Sequence, residues 1–383
     1  MKKGFFTFAS FAVAALVWGT MASAAESVLL EPTPMSERAD AQVVQQVAEE
    51  TTTAETQTPE MYYYDDGASQ FKLGGYIYGT WYDGFYPMNG DHTMAINQTV
   101  LFAERQLDTV RNGGFDWGYN VTALFGTEHA QFADDGFDGN WGTSGDGYGM
   151  SIYECYAALG WENMSMKIGK FASPIGYESA VGPARDLNST SYIHQHLPGV
   201  HAGALLNWDY TERLALNFGV VRGVNNSFDD GGNYGFIIGA KYQWTDRLAI
   251  SYEGFIGHVE NDDYENGTQY LHSVVATWDI NCRLQYVFET AYGTIGEKDG
   301  DPEDFFGISN YLKYKLSDNM QAIARFEWAE ENGEDDYTEL TLGVKYNINE
   351  HLMIRPEIRY DWVDEGGSKD SGFSGGIGGA FFF

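Results

Sequence analysis

The sequence predicts an all-β transmembrane antiparallel barrel of 16 strands, with long extracellular loops and short periplasmic turns. Three observations indicate this fold class. Apolar residues recur at every second position through most of the chain, tight turns alternate with long Gly- and Asp-rich loops, and tryptophans stand at the ends of the apolar faces. A tilted strand of about 9 to 11 residues crosses a bilayer, and the alternating segments reach that length.

Period-two alternation is clearest at residues 115–126. There Phe115, Trp117 and Tyr119 interleave with Asp116 and Asn120. Such alternation places apolar side chains on one face of a strand and polar ones on the other. Sixteen segments carry it, near 71–86, 94–106, 113–126, 149–161, 164–173, 198–208, 212–223, 234–244, 247–259, 268–279, 282–295, 305–316, 319–330, 337–348, 351–362 and 371–383.

The connections between these segments alternate in length, which is the layout of a membrane barrel. The tight turns are Glu162-Asn163, Thr245-Asp246, Ser317-Asp318 and Asn349-Glu350, and the long loops include 127–148, 174–197, 260–267, 296–304 and 331–336. The soluble alternative is a large β-sandwich or lectin. It would not need tryptophans such as Trp244, Trp278 and Trp362 at strand ends, where an amphipathic ring suits the bilayer interface.

Composition excludes several other classes. The 383 residues carry 55 acidic and 22 basic side chains, for a net charge of −33, together with 26 Tyr, 24 Phe and 10 Trp. So aromatic a chain is not disordered through most of its length, and so acidic a chain is a poor ligand for nucleic acid. The two cysteines, Cys155 and Cys282, are too few for a disulfide scaffold and lie too far apart to bridge.

The N-terminal residues form two predicted segments before the barrel domain at 69–383. Residues 1–24 have the charged start, apolar core and Ala-Ser-Ala cleavage site of a signal peptide. Residues 25–68 are acidic and polar, and we interpret them as a flexible periplasmic extension, with a docking peptide as the alternative.

The final residues predict a closing strand of an outer-membrane barrel. Counting back from Phe383 in steps of two gives Phe381, Gly379 and Ile377, so one face is largely apolar. The sequence therefore predicts Phe383 as an assembly signal, read by the barrel-assembly machinery through the C-terminal strand, and membrane lipid as the surroundings of the barrel.

A set of short motifs lies between about residue 71 and residue 383: Gly169-Lys170-Phe171, Pro174, Gly176-Tyr177-Glu178, Asn188, Ser191-Tyr192, Pro198, His201, Gly203, Arg325-Phe326-Glu327, the run from Arg355 to Asp361, and Phe383. On these residues this part of the chain resembles the OmpL-like family of outer-membrane β-barrel porins. The resemblance implies an outer-membrane channel.

The third long loop, near 173–197, is the candidate constriction. Its charged and histidine residues are Glu178, Arg185, Asp186, His194 and His196, and prolines punctuate it. Because the third loop of sixteen-stranded porins folds inward and narrows the pore, the resemblance implies that this loop forms the constriction. The alternative is packing on the outer rim or at a subunit interface.

Charged residues of the later segments share the parity that points away from lipid, where an Arg or Lys would cost roughly 2–4 kcal/mol. They are Arg283, Glu289, Lys313, Lys315, Arg325, Glu327, Lys345, Arg355, Glu357, Arg359 and Asp361. We interpret them as pore-lining groups, and the alternative is a set of paired residues that holds a polar interior together. Lys170 has the wrong parity, so we expect a bulge at Gly169 to turn it inward.

No cofactor is predicted, and the enzyme and metal signals are weak. The eight histidines are scattered, and His194 and His196 lack an evident third metal ligand. Acidic loops such as 134–140 could bind Ca²⁺, but none has EF-hand spacing, so a solvated anionic rim is the alternative.

The sequence thus predicts a water-filled channel in the outer membrane of a Gram-negative-type bacterium, which passes small hydrophilic solutes and ions with a weak preference for cations. A sugar-specific channel and a structural or adhesive barrel with a closed lumen are the alternatives. The choice between a monomer and a homotrimer stays open.

Overall fold

The computed structural model describes residues 64–65, 70–85, 93–134, 136–139, 141, 147–225, 234–259, 267–296 and 303–383. The predicted signal peptide lies outside these residues, as does the extension apart from residues 64–65. The strands are β1 Tyr64–Asp65, β2 Phe71–Gly84, β3 Thr93–Arg105, β4 Phe115–Gly126, β5 Gly149–Trp161, β6 Met164–Ala172, β7 Val200–Thr211, β8 Leu214–Val221, β9 Tyr234–Thr245, β10 Leu248–Val259, β11 Gly267–Asp279, β12 Leu284–Gly296, β13 Glu303–Ser317, β14 Met320–Glu331, β15 Asp335–Asn349, β16 Leu352–Glu365 and β17 Ser368–Phe382.

Strands β2 to β17 form a closed antiparallel barrel of sixteen strands, as predicted. Each strand pairs with the next along the chain, and β17 closes the barrel on β2 from Ser374 opposite Gly84 to Phe382 opposite Tyr76. The backbones of Phe383 and Gly75 exchange two hydrogen bonds, of 2.8 and 3.0 Å, at this seam. The short β1 adds two residues to β2 at Leu73 and Lys72.

The outward face of the barrel is apolar, which confirms the period-two interpretation. Along β4 the exposed and buried residues alternate, and the exposed ones include Phe115, Trp117 and Val121. Trp244, Trp278 and Trp362 stand exposed near strand ends, as an interfacial belt requires. Among the described residues, no helix has the length and apolar character to cross a membrane.

Most strand boundaries differ from the prediction by one to three residues. The predicted turn Glu162-Asn163 is observed, whereas the other three tight turns lie one residue later, starting at Asp246, Asp318 and Glu350. Strand ends are the least reliable feature of a sequence pattern, because pairing with neighbours decides where a strand stops.

Two connections fold into the barrel. Loop 2, residues 127–148, begins with a 3-10 helix at Thr127–Gln131, and loop 3, residues 173–199, contains the short helix α1 at Tyr192–His196. Inward-facing side chains of the strands, which we call the inner wall, pack against both loops. The core of the molecule therefore lies inside the barrel.

Candidate functional site

Loop 3 lies against the inner wall of β12 to β17, and wall carboxylates accept its backbone N–H groups. Tyr177 N donates to Glu289 Oε1 at 2.8 Å. Glu327 accepts from Tyr192 N at 2.7 Å and from Ile193 N at 2.9 Å. A buried backbone without secondary structure must find such partners, so the carboxylates determine where the loop can lie.

Wall cations meet the carbonyl groups of the same loop. Arg325 donates to Ser189 O at 2.9 Å, and Lys345 donates to Pro183 O at 2.8 Å. Further contacts of this kind run from Lys345 to Ala184 O and Arg185 O, from Arg355 to Gly182 O and Arg185 O, from Arg359 to Thr190 O, and from Arg325 to Thr190 O. Wall side chains therefore make hydrogen bonds to the loop backbone that water would otherwise make.

Ion pairs join part of these charges into a network of Arg325, Glu178, Glu339, Arg359 and Asp361. Arg325 pairs with Glu178 of loop 3 at 2.5 Å and with Glu339 of β15. Arg359 lies 3.6 Å from Glu339 and pairs with Asp361 at 2.8 Å. Lys313 forms a separate pair with Asp186 of loop 3 at 3.0 Å, and the Glu357 carboxylate accepts from Asn188 N at 2.5 Å. Wall bases thus contact both Glu178 and Asp186 of the third loop.

Nine of the eleven predicted pore-lining charges are covered and do not face open water, which corrects their interpretation as pore-lining groups. Arg325, Arg355 and Arg359 are fully covered by the loop. Exposure is at most 7% for Glu289, Lys313, Glu327, Lys345, Glu357 and Asp361. Two further predicted members lie elsewhere, since Arg283 sits in the turn before β12 and Lys315 is exposed near the turn end of β13.

An apolar cluster holds the two stems of loop 3. Ile175, Ile193 and Leu197 pack with inward-facing side chains of neighbouring strands, among them Ile237 and Phe255. Other members of the cluster are Phe171, Leu205, Val221, Leu271, Ala291 and Phe305. Removing such area from water stabilises the docked loop. The loop is thus fixed by an apolar contact at its stems and a polar contact along its middle.

Glycines make room for the large rings of this cluster. A Cβ at Gly235 would overlap the ring of Phe255, and one at Gly293 would overlap that of Phe305. Alternating large and small residues let a ring lie flat on the neighbouring strand. Substitution of either glycine would push an aromatic side chain into the interior.

Lys170 holds loop 2 inside the barrel. Its ammonium donates to Phe132 O at 2.8 Å and to Asp138 Oδ1 at 3.1 Å, and Asp134 lies 3.5 Å away. It points inward, as predicted, but the cause is the φ of +137° at Gly169, because the pairing of β5 with β6 runs without a bulge.

Asp134 and Asp138 are buried, so this part of loop 2 is not the solvated anionic rim that was the alternative to a Ca²⁺ site. The Lys170 ammonium already compensates these two carboxylates. Within the described part of the chain, no three His, Cys, Asp or Glu side chains converge on a metal position. Other acids of the acidic loops, Asp135, Asp262, Asp263, Asp299 and Asp301, lie outside the described residues.

Side-chain hydrogen bonds join the described parts of loops 2 and 3. Arg185 donates to both carboxylate oxygens of Glu128, at 3.1 and 2.7 Å, and Gln98 of β3 donates to Glu128 at 2.6 Å. His194 and Gln131 are joined by a hydrogen bond of 2.9 Å between their Nε2 atoms. With the amide as donor, His194 accepts through Nε2. The constriction is therefore built by two loops.

The pKa values of the loop 3 groups keep Glu178 charged and His194 neutral near pH 7. Burial would raise the pKa of Glu178, but the Arg325 charge and hydrogen bonds from Ser191 N and Tyr311 hold it at about 2. Burial lowers the pKa of His194 to about 4, so the ring is neutral. Burial would raise the pKa of Asp186, but the charges of Lys313 and Lys345 and the hydrogen bonds from Tyr177 and Lys313 together lower it.

Sequence reasoning missed Glu128, Glu339 and Tyr78. Glu339 had the correct inward parity, and so could have been included with the wall charges. Tyr78 donates to Asn188 at 3.2 Å and accepts from Arg355 at 2.9 Å. Glu128 carried no signal, because nothing in the sequence indicates that loop 2 turns inward.

A family model described as "Putative beta-barrel porin-2, OmpL-like" matches residues 60–383. Two curated relatives, a monosaccharide porin from Halomonas sp. and the major outer membrane protein of Halomonas elongata, are each 25% identical over 143 residues. The match covers 37% of this chain and 32% of each relative, so it spans about a third of their length.

Three solved structures share the fold at low sequence identity. OprB of Pseudomonas putida has a TM-score of 0.59 at 12% identity and covers 85% of this chain and 99% of its own. OmpT of Vibrio cholerae, in a trimer form, has a TM-score of 0.58 at 12% sequence identity. The anion-selective porin of Comamonas acidovorans has a TM-score of 0.58 at 11% identity. Each of these two covers 82% of this chain and 99% of its own.

Proposed function

We propose that this chain, which belongs to the OmpL-like β-barrel porin-2 family, forms a general diffusion channel of the outer membrane with a weak preference for cations. Family and fold make it an outer-membrane porin, and they point to a channel rather than to an enzyme. What we propose beyond this is the range of solutes that the channel passes and its preference for cations.

The observation that supports general diffusion is a closed sixteen-stranded barrel whose third loop is held inside it by the wall. A loop docked along the wall narrows the lumen. Residues 71–383 hold 45 acidic and 19 basic side chains, so the field at the mouths attracts cations. Salt screens this field beyond about 8–10 Å, so the preference is weak.

A sugar-specific channel is the second candidate, because one relative is a monosaccharide porin. Sugar channels stack pyranose rings on exposed aromatic faces. Here Tyr78, Phe255 and Tyr311 of the inner wall are buried at 2% exposure or less. Their burial favours general diffusion over stacking.

Liposome swelling separates these functions. Vesicles with the folded protein should swell in solutes of increasing size, and the rate should fall smoothly with size rather than with stereochemistry. A reversal potential in a KCl gradient should have the sign of a cation-preferring pore, more strongly at low salt. Uptake of one sugar epimer only would favour the specific channel, and an absence of swelling would favour a closed lumen.

We also propose a homotrimer, because a solved structure with this fold exists in a trimer form. Chemical crosslinking in detergent should give a trimer band that is lost on heating. A monomer mass by native light scattering would contradict it.

A further inference from the structure

We propose that Glu128, at the junction of loops 2 and 3, determines the ion selectivity of the constriction. This inference rests on the proposed channel function and assigns its selectivity to one side chain. Its partner Arg185 then acts as a positioning residue, which fixes the carboxylate at the passage.

The first step is exposure. The Glu128 side chain is 19% exposed, whereas its partner Arg185 is 2% exposed. In the ion pairs of Lys170 with Asp134 and Asp138, of Lys313 with Asp186, and of Arg325 with Glu178, each side chain is 7% exposed or less. The pair between His196 of loop 3 and Glu331 of β14 leaves both side chains exposed to a similar extent, 27% and 30%, so it lacks the asymmetry of Glu128 and Arg185.

The second step is range. A covered ion pair presents both signs to a passing ion at nearly equal distance, so the two effects largely cancel. A carboxylate that touches the water acts on the ion at short distance, in a narrow space that salt screens poorly. In a pair with unequal exposure, the more exposed member, here Glu128, therefore dominates the field that the ion meets.

The third step is fixation. Arg185 contacts both oxygens of Glu128, and its Nε and Nη2 donate to Ser179 O and Ala180 O at 3.0 and 3.1 Å. Gln98 donates to Glu128 and also to Ala180 O at 2.9 Å. The carboxylate thus has a defined position relative to loop 3, as a selectivity group requires.

The chain also offers a matched control. Glu104 is a half-buried carboxylate on the inner wall of β3, one residue from the turn end of the strand, and it contacts neither loop. Neutralising Glu104 removes one negative charge from the barrel interior, as neutralising Glu128 does. If total interior charge decides selectivity, Glu104→Gln and Glu128→Gln must act equally.

The experiment measures reversal potentials of the purified full-length channel in planar bilayers across a KCl gradient. Glu128→Gln should lower the cation-to-anion permeability ratio several-fold or invert it, while Glu104→Gln leaves it near the native value. Equal shifts in the two variants, or an unchanged ratio in Glu128→Gln, would overturn the proposal. Native protein without conductance would refute the channel function itself, which is a distinct result.

A second measurement changes only the charge at position 128, after the channel has folded. Glu128→Cys, in a Cys155→Ser/Cys282→Ser background, is modified in the assembled channel with methanethiosulfonate reagents, which form a mixed disulfide and release methanesulfinate. The anionic sulfonatoethyl adduct should restore cation preference, and the cationic trimethylammonioethyl adduct should give anion preference. Identical selectivity after both modifications would contradict the assignment.

Discussion

At the residue scale, Arg325 is the centre of the contact between loop 3 and the wall. It is fully buried and meets Glu178, Glu339 and the carbonyls of Ser189 and Thr190. A guanidinium has five donors in a fixed plane, so one side chain can satisfy several acceptors at once. A buried charge of this kind is stable only with its partners present.

Replacing Arg325 with Met should therefore destabilise the docked loop. It removes the cation paired with the buried Glu178 and leaves Glu339 with Arg359 alone, 3.6 Å away. Breaking a buried ion pair in this way typically costs about 3–5 kcal/mol. The heat-modifiability midpoint of the folded protein should fall accordingly. Lys369→Met, which removes an exposed pair with Asp364, is the control and should leave the midpoint unchanged; equal midpoints for both variants would contradict the network.

Acidification should loosen the loop in two stages. The pKa of His194 is about 4 when docked against 6.5 when exposed, so an undocked loop binds more protons between these values, and docking weakens as pH falls from 6.5 to 4. The pKa of Glu178 is about 2 against 4.5, which extends the loss from pH 4.5 to 2.

Current fluctuations of single channels should therefore increase steadily below pH 6.5. His194→Gln keeps an acceptor for Gln131 without the titration, so it should remove the change between pH 6.5 and 4.5 and retain the later one. The same pH profile in the variant and the native protein would show that His194 does not contribute.

At the element scale, the strands could be predicted because period-two alternation is a local property. The sixteen segments and the inward parity of the late charges follow from it, whereas the entry of loop 3 was expected from the resemblance to sixteen-stranded porins. Side chains depart from the predicted inward or outward direction where a local backbone conformation changes the alternation. At Gly169 a positive φ turns Lys170 inward, and at Tyr153 an extra residue in β5 shifts the register with β4.

The C-terminal strand carries a prediction of its own. Phe383→Ser should lower the amount of barrel in the outer membrane, because the apolar face of β17 loses its terminal ring while the backbone bonds to Gly75 remain possible. Quantitative blotting of membrane fractions measures this. Phe373→Ser, on the same strand and 67% exposed, should have a smaller effect; a larger effect at residue 373 would refute a special role for residue 383.

At the scale of the whole molecule, sequence reasoning predicted the barrel but not how deeply its interior is filled. The contact between Glu178 and Arg325 joins residues 147 positions apart, so it exists only once the barrel has closed. Parity shows that a charge faces inward, but it does not show whether water or a loop covers it. This is why the wall charges were expected at the lumen and are found beneath loop 3.

Residues 69–383 should fold alone. The barrel closes between β17 and β2 through pairing within residues 71–383, and the composition changes near residue 68. A variant lacking residues 25–68 should insert into lipid as a heat-modifiable barrel at near-native yield. Failure to insert, with the full chain inserting under the same conditions, would show that the extension takes part in folding.

Single-channel recording in planar bilayers tests the central claim most directly, namely that a water-filled passage remains beside two loops anchored inside the barrel. Protein shown to be folded by heat-modifiability should give discrete conductance steps of uniform size in KCl. Folded, inserted protein that gives no conductance would mean that the loops and the apolar clusters close the lumen.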